Sequence, residues 1–165
     1  MERWLAGLAS AGDLGAFAGL VRAHEPALRS MLRRLAGDAA DDIAQDTFIA
    51  AWRSAGTWRQ DGSYRAWLLR IAWRQFLTYR RKSRPTEPLE HAEDLGAAPC
   101  AERKAEVEQA LARLGPRERM AALLCFAEGF SHGEAAAIMG VPLGTLKSLA
   151  ARARRELAQC LEDKQ

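Results

Sequence analysis

A chain of 165 residues, 48% hydrophobic and 27% charged, holds enough apolar material for one ordinary domain or two small ones, which excludes a disordered chain. No apolar run approaches the ~18 residues of a membrane span, and the start, Met1 to Leu8, is too short and too interrupted for a secretory signal. The net charge of +3 divides as +5 over residues 1–82, −3 over 83–103 and +1 over 104–165, which points to polyanion contact from defined surfaces.

Alanine, leucine and arginine dominate and β-branched residues are few, so helix is expected throughout. Asp13 can cap a helix running to about Leu35, with Leu14, Phe17, Ala18, Val21 and Leu28 inward, and Gly37-Asp38 breaks it. Asp41 to Arg53 forms the second helix. Ile43, Thr47, Phe48 and Ala51 share one stripe, while Asp42, Gln45, Asp46 and Ile49 fall on the other side. Gly56 to Ser63 is a polar turn region, and the third helix runs from about Tyr64 to Lys82.

Four of the five tryptophans (Trp52, Trp58, Trp67, Trp73) lie between Trp52 and Arg84, and residues 53–82 hold eight cations against a single acid, Asp61. Cations neutralise phosphates and flat rings stack on unpaired bases, so this composition suits a grip on single-stranded nucleic acid. A tryptophan-rich core under a solvated basic surface accounts for it equally well. On the third helix Leu68, Ile71, Ala72, Gln75, Phe76 and Tyr79 share a broad apolar face, with Trp67 at its edge as core. Arg70, Arg74 and Arg81 line the opposite side, and Trp73 beside them is expected to be exposed.

Ser83 to Arg103, with Pro85, Pro88, Gly96 and Pro99 and an acidic balance, reads as a linker. Beyond it Glu102 to Leu114 forms a helix, Gly115-Pro116 ends it and starts another, and that one runs to Glu128 with Met120, Leu123, Leu124 and Ala127 inward. Ser131-His132-Gly133-Glu134 has the spacing of a capping box, Gly140 can end the short helix in a left-handed conformation, and a long helix follows to about Leu161. A short helix, a glycine turn and a second helix make a helix-turn-helix. Ala136 is small at the crossing and Leu146 and Leu149 point inward, which leaves Thr145, Lys147, Ser148 and Arg152 outward for groove contact.

Together the two halves resemble the extracytoplasmic-function (ECF) RNA polymerase sigma factors. The likeness rests on Asp41-Asp42-Ile43-Ala44-Gln45-Asp46-Thr47-Phe48 and on Trp67-Leu68-x-x-Ile71-Ala72. It extends to Leu111-x-x-Leu114-Gly115-Pro116-Arg117-x-Arg119, Gly129 to Ala136, and Gly144-Thr145-Leu146-Lys147-Ser148. The resemblance implies an all-α fold of two small helical domains joined by a flexible linker. Residues 1–82 would be a region 2-like bundle, 83–103 the acidic linker threading toward the RNA exit path, and 104–165 a region 4-like helix-turn-helix domain. It implies core RNA polymerase (β′ and β subunits) as a partner, with Asp42, Gln45, Asp46 and Ile49 docking on a coiled coil of β′ and Phe48 in the core. Trp58, Arg59, Arg70, Trp73, Arg74 and Arg81 would meet promoter DNA at the −10 element, the loop Thr57 to Ser63 taking a flipped base. Thr145, Lys147, Ser148, Arg152 and Arg155 would meet the −35 element. An anti-sigma factor is implied as a further partner.

The chain departs from the family pattern at Trp73, Arg74 and Thr78 on the third helix and at Leu149-Ala150 on the last, so no base preference at −10 is carried over. A helix-turn-helix regulator without sigma activity is the alternative, and it leaves the aromatic–basic third helix unexplained. An enzyme acting on nucleic acid finds little support. His132-Gly133-Glu134 has the His-x-Glu of zinc deaminases, but the partner Pro-Cys-x-x-Cys is missing. Cys100 and His91 form at most half a zinc site. No catalytic residue, cofactor, metal or small-molecule substrate is expected. Three widely spaced cysteines, Cys100, Cys125 and Cys160, make no disulfide framework and fit a reducing cytoplasm. A membrane-bound anti-sigma factor would hold the protein at the inner membrane.

Overall fold

A computed structural model describes residues 2–59, 63–83 and 99–162, and every regular element among them is helical. The chain divides into two compact units, Met1–Pro85 and Thr86–Gln165. Residues 84–98, most of the expected linker, lie outside the described residues.

The first unit contains α1 (Glu2–Ser10), α2 (Leu14–Ala36), α3 (Ala40–Arg53) and α4 (Tyr64–Lys82). Helix α1 was not among the expected elements. It packs on α2 and on the short turn at Ala55–Thr57, with Ala6 and Ala9 buried. Nine residues are marginal as an isolated helix, so tertiary packing forms it. Asp13 caps α2 as expected, its Oδ1 accepting from the Ala16 N–H at 2.9 Å.

The inward face of α2 differs from the sequence reading. Leu14 is exposed, and Phe17, Ala18 and Val21 are only half-buried. Leu28 is buried as expected, and the core otherwise takes Ala16, Leu20, Met31, Leu32 and Leu35. Large apolar side chains share a wide arc of this helix, and its neighbours decide how much of that arc is covered. Phe17 meets Trp52 of α3 with ring centroids 5.0 Å apart, and Gly19 leaves room for Leu5 of α1.

Helix α4 brings a second correction. Trp73, expected to be exposed, is 3% exposed and stacks on Phe76 at 5.4 Å. Leu69, Trp73 and Phe76, at i, i+4 and i+7, form a buried row beside Leu68, Ile71 and Ala72, so the apolar arc is wider than one stripe. Trp67, expected in the core, is half-buried with its ring 5.3 Å from Tyr64. Phe48, also expected in the core, is half-buried, and Tyr79 is exposed.

The second unit contains α5 (Pro99–Arg113), α6 (Pro116–Ala122), α7 (His132–Met139) and α8 (Leu143–Glu162). Helix α5 starts three residues before the expected Glu102. A π-helical turn, Leu123–Ala127, continues α6, closed by the Glu128 N–H on the Leu123 carbonyl at 2.9 Å. The wider turn shifts the helical phase, so Ala127, expected inward, is exposed and Phe126 reaches the surface. Burial of Cys125 in this turn pushes its thiol pKa up. Cys125 and Cys160 are free thiols; the Cys100 side chain and His91 lie outside the described residues, and with them the conceivable zinc pair.

Arg119 is the one charged residue buried among those described, at 7% exposure. Its Nη2 donates to the carbonyls of Ala112 and Leu114, the latter at 3.0 Å. Those carbonyls belong to the end of α5, where no further helical turn exists to satisfy them. One guanidinium thus fixes the α5–α6 corner.

Candidate polymerase and nucleic-acid interfaces

Helix α3 separates its two faces cleanly. Ile43, Ala44, Thr47 and Ala51 are buried, with the Thr47 hydroxyl donating to the Ile43 carbonyl at 2.7 Å. Asp42, Gln45, Asp46 and Ile49 are exposed together on the other face, Ile49 at 41%. The neighbouring Asp41 takes a different part. Its Oδ1 accepts from Nη1 of Arg29, whose Nε donates to Glu25 Oε1 at 2.9 Å. The hydrogen bond to Glu25 first, then that to Asp41, raises the Arg29 pKa. Asp41 therefore ties α3 to α2, while Asp42 and Asp46 make no ion pair among the described residues. Arg29 stands twelve residues from Asp41 and has no local signature, so sequence reasoning missed it.

The basic side of α4 exposes Arg70, Arg74 and Arg81, as read from the sequence. Arg81 Nη2 donates to Thr78 Oγ1 at 3.2 Å, and Arg80 lies over the Phe76 ring at 5.9 Å. Arg59 is exposed, and residues 60–62 of the adjoining loop lie outside the described residues. The two tryptophans proposed for this surface are not on it. Trp58 is 7% exposed and meets Tyr64 edge-on at 5.9 Å, and Trp73 is in the core. The Trp58 indole N–H is buried with no acceptor among the described residues.

The helix-turn-helix forms as its local signals require. The Ser131 hydroxyl and backbone N–H donate to Glu134 Oε2 at 2.7 and 2.9 Å, and the Glu134 N–H donates back to Ser131 Oγ at 3.3 Å. Gly140 ends α7 at φ 65°, ψ 38°, the left-handed region that favours glycine. Ala136, Leu146, Leu149, Ala150 and Ala153 are buried. Thr145, Ser148, Arg152 and Arg155 follow at i, i+3, i+7 and i+10 on one exposed face of α8, with Lys147 exposed beside them. Ser148 Oγ donates to the Gly144 carbonyl at 3.0 Å. Arg152 pairs with Glu118 of α6 at 3.4 Å, and Arg154 lies over the Phe126 ring at 5.2 Å.

The Ser131 hydrogen bonds hold the Glu134 carboxyl below the usual range. Its contribution to stability is therefore full above the ordinary glutamate range and is lost as pH falls through the lowered value. Ser131→Ala is expected to cost about 1 kcal/mol at neutral pH, the usual penalty for a lost N-cap. Urea unfolding of the full chain measures it, and the gap from the parent should narrow on acidification.

Two family models match the chain: Sigma-70 region 2 over residues 20–86 and Sigma-70, region 4 over residues 104–157. The ECF RNA polymerase sigma factor SigM of Mycobacterium tuberculosis is 38% identical over 161 residues, covering 92% of this chain and 80% of SigM. The RNA polymerase sigma factor NccH of Alcaligenes xylosoxydans xylosoxydans is 35% identical, covering all of this chain and 97% of NccH. Among solved structures, CnrH in complex with the cytosolic domain of CnrY superposes with a TM-score of 0.75 at 30% identity, over 99% of both chains. The sigma factor RpoE of Bartonella quintana, in complex with the anti-sigma factor NepR, gives 0.73 at 30% identity over 88% of this chain and 96% of that one.

Proposed function

Because the chain belongs to the ECF family of RNA polymerase sigma factors, we propose a division of labour among its exposed surfaces. As a sigma factor it binds core RNA polymerase, directs it to promoters and promotes DNA melting. Asp42, Gln45, Asp46 and Ile49 of α3 make the polymerase contact. Thr145, Lys147, Ser148, Arg152 and Arg155 of α8 meet the −35 duplex. Arg59, Arg70, Arg74 and Arg81 follow the −10 strand, with Trp58 and Trp73 acting beneath them as packing. Residues 1–82 and 104–165 are the two working domains, and 83–103 joins them.

One observation carries this reading: a single chain exposes both an acidic–apolar face on α3 and a capped helix-turn-helix. A regulator that only bound DNA would need the second and not the first. The role is positional, with no covalent chemistry assigned to any side chain.

Anti-sigma control is supported by the relatives solved with CnrY and NepR. Such a partner would cover one or more of these surfaces. No described helix is long and apolar enough to cross a membrane; we place the protein in the cytoplasm, held at the inner membrane where its anti-sigma factor is membrane-bound. Run-off transcription tests the whole reading. Core polymerase with this protein should initiate from a cognate promoter and core alone should not. A chain that bound duplex DNA but never bound core polymerase would overturn it.

A further inference from the structure

The ion pair between Arg152 and Glu118 joins a residue of the proposed −35 face to one with no assigned role. Glu118 stands in the first turn of α6, where the exposed backbone N–H groups favour an acid. Its Oε2 lies 2.7 Å from where a Cβ on Gly115 would stand, so a larger residue there would push the carboxylate aside from this position. Gly115 has φ −59°, so room rather than backbone conformation is what its missing side chain supplies. Helix α6 is itself held firmly. Arg119 locks it to the end of α5, and Met120, Ala121 and Ala122 are buried. The Glu118 side chain is 20% exposed against 52% for Arg152. A partly covered carboxylate on a firmly held helix therefore faces a more exposed guanidinium.

Two consequences follow from that asymmetry. A single contact at 3.4 Å leaves most of the guanidinium donors available outward, but restricts the directions the fork can take. The carboxylate also offsets the positive charge that Arg152 presents to a polyanion. Non-specific attachment to DNA depends on the charge, whereas base readout depends on the geometry. We propose that Glu118 is a specificity-determining residue: it suppresses charge-only attachment through Arg152 and holds that side chain for selective contact. This rests on the assignment of Arg152 to the −35 face.

The test uses holoenzyme assembled from core polymerase and the full chain. One probe is a duplex selected from a random pool by the parent holoenzyme, the other a scrambled duplex of equal composition. Glu118→Gln is expected to lower the selected-to-scrambled affinity ratio by about three- to tenfold, chiefly by tightening the scrambled duplex. The salt dependence on the scrambled duplex should steepen by about one unit, the increment for one more phosphate contact. In an Arg152→Ala background, the same substitution should change the ratio less than about twofold. Urea unfolding checks that each variant is folded.

A ratio unchanged by Glu118→Gln, with Arg152→Ala still weakening the selected duplex, would overturn the role of Glu118 and leave that of Arg152 standing. An equal effect of Glu118→Gln in both backgrounds would also overturn it, since Glu118 would then act as a general surface charge. If Arg152→Ala left selected-duplex binding intact, the assignment of Arg152 would fall, and the proposal with it.

Discussion

Trp73→Ala is expected to destabilise the first unit by about 3–5 kcal/mol, the usual cost of emptying a large aromatic site in a core. The indole is 3% exposed, stacks on Phe76, and lies in the same buried row as Leu69. For a domain of this size that loss corresponds to a fall in melting temperature of more than about 12 °C. It also approaches the whole stability of a small domain, so Trp73→Phe supplies a folded intermediate case. Arg74→Ala, one residue along, should leave the unfolding transition in place and weaken only binding to −10 single strands, because Arg74 is exposed. The pair of variants separates a packing role from a strand-contacting one. If Trp73→Ala unfolded within about 1 kcal/mol of the parent yet bound single strands poorly, the ring would have to leave the core to work, and its buried position would not be the functional one.

The tryptophan and arginine cluster shows where sequence reading stopped. A helical wheel separates Arg70, Arg74 and Arg81 from Leu68, Ile71 and Phe76 without ambiguity, and the structure agrees. It cannot place Trp67 and Trp73, which lie at the borders of the arc, because a large ring reaches whichever cover its neighbours provide. On α2 the same difficulty arises along a wide apolar arc, of which α1 and α3 cover Leu20, Met31 and Leu32 and leave Leu14 exposed. By contrast the helix-turn-helix was legible because its determinants are local. Ser131 and Glu134 cap each other, and Gly140 supplies the left-handed residue. The acidic face of α3 was legible for the same reason: an amphipathic helix with polar residues at fixed spacing declares both its sides. What remained hidden were side chains that join distant segments. Arg29 reaches Asp41 and Arg119 reaches Ala112 and Leu114, and the Glu118–Arg152 pair spans α6 and α8. Nor does any local pattern announce the π-helical turn that turns Phe126 outward.

Asp42→Lys and Asp46→Lys are each expected to weaken binding to core polymerase by about ten- to a hundredfold, because truncating or reversing a charge at a docked interface costs roughly 2 kcal/mol or more. The two positions are not equivalent for the fold. Asp42 lies in the first turn of α3, where a cation opposes the helix dipole at a cost of about 0.3–1 kcal/mol. Asp46 is mid-helix and exposed, so its reversal leaves stability almost unchanged. Asp42→Asn removes the charge without adding a cation, and should fall between the parent and Asp42→Lys in binding. Asp41→Lys is expected to behave differently, since it shares the first-turn dipole cost and also removes the exposed ion pair with Arg29 of α2, a further loss of at most about 1 kcal/mol that urea unfolding reads. Titrating labelled core polymerase with each variant at two salt concentrations gives the affinities, and the lysine variants should lose part of the parent's salt dependence. Affinities for Asp42→Lys and Asp46→Lys within twofold of the parent, in chains that unfold normally, would move the docking surface off this face of α3. Loss at Asp41 alone would identify the α2–α3 contact, and not an exposed acidic face, as what the polymerase requires.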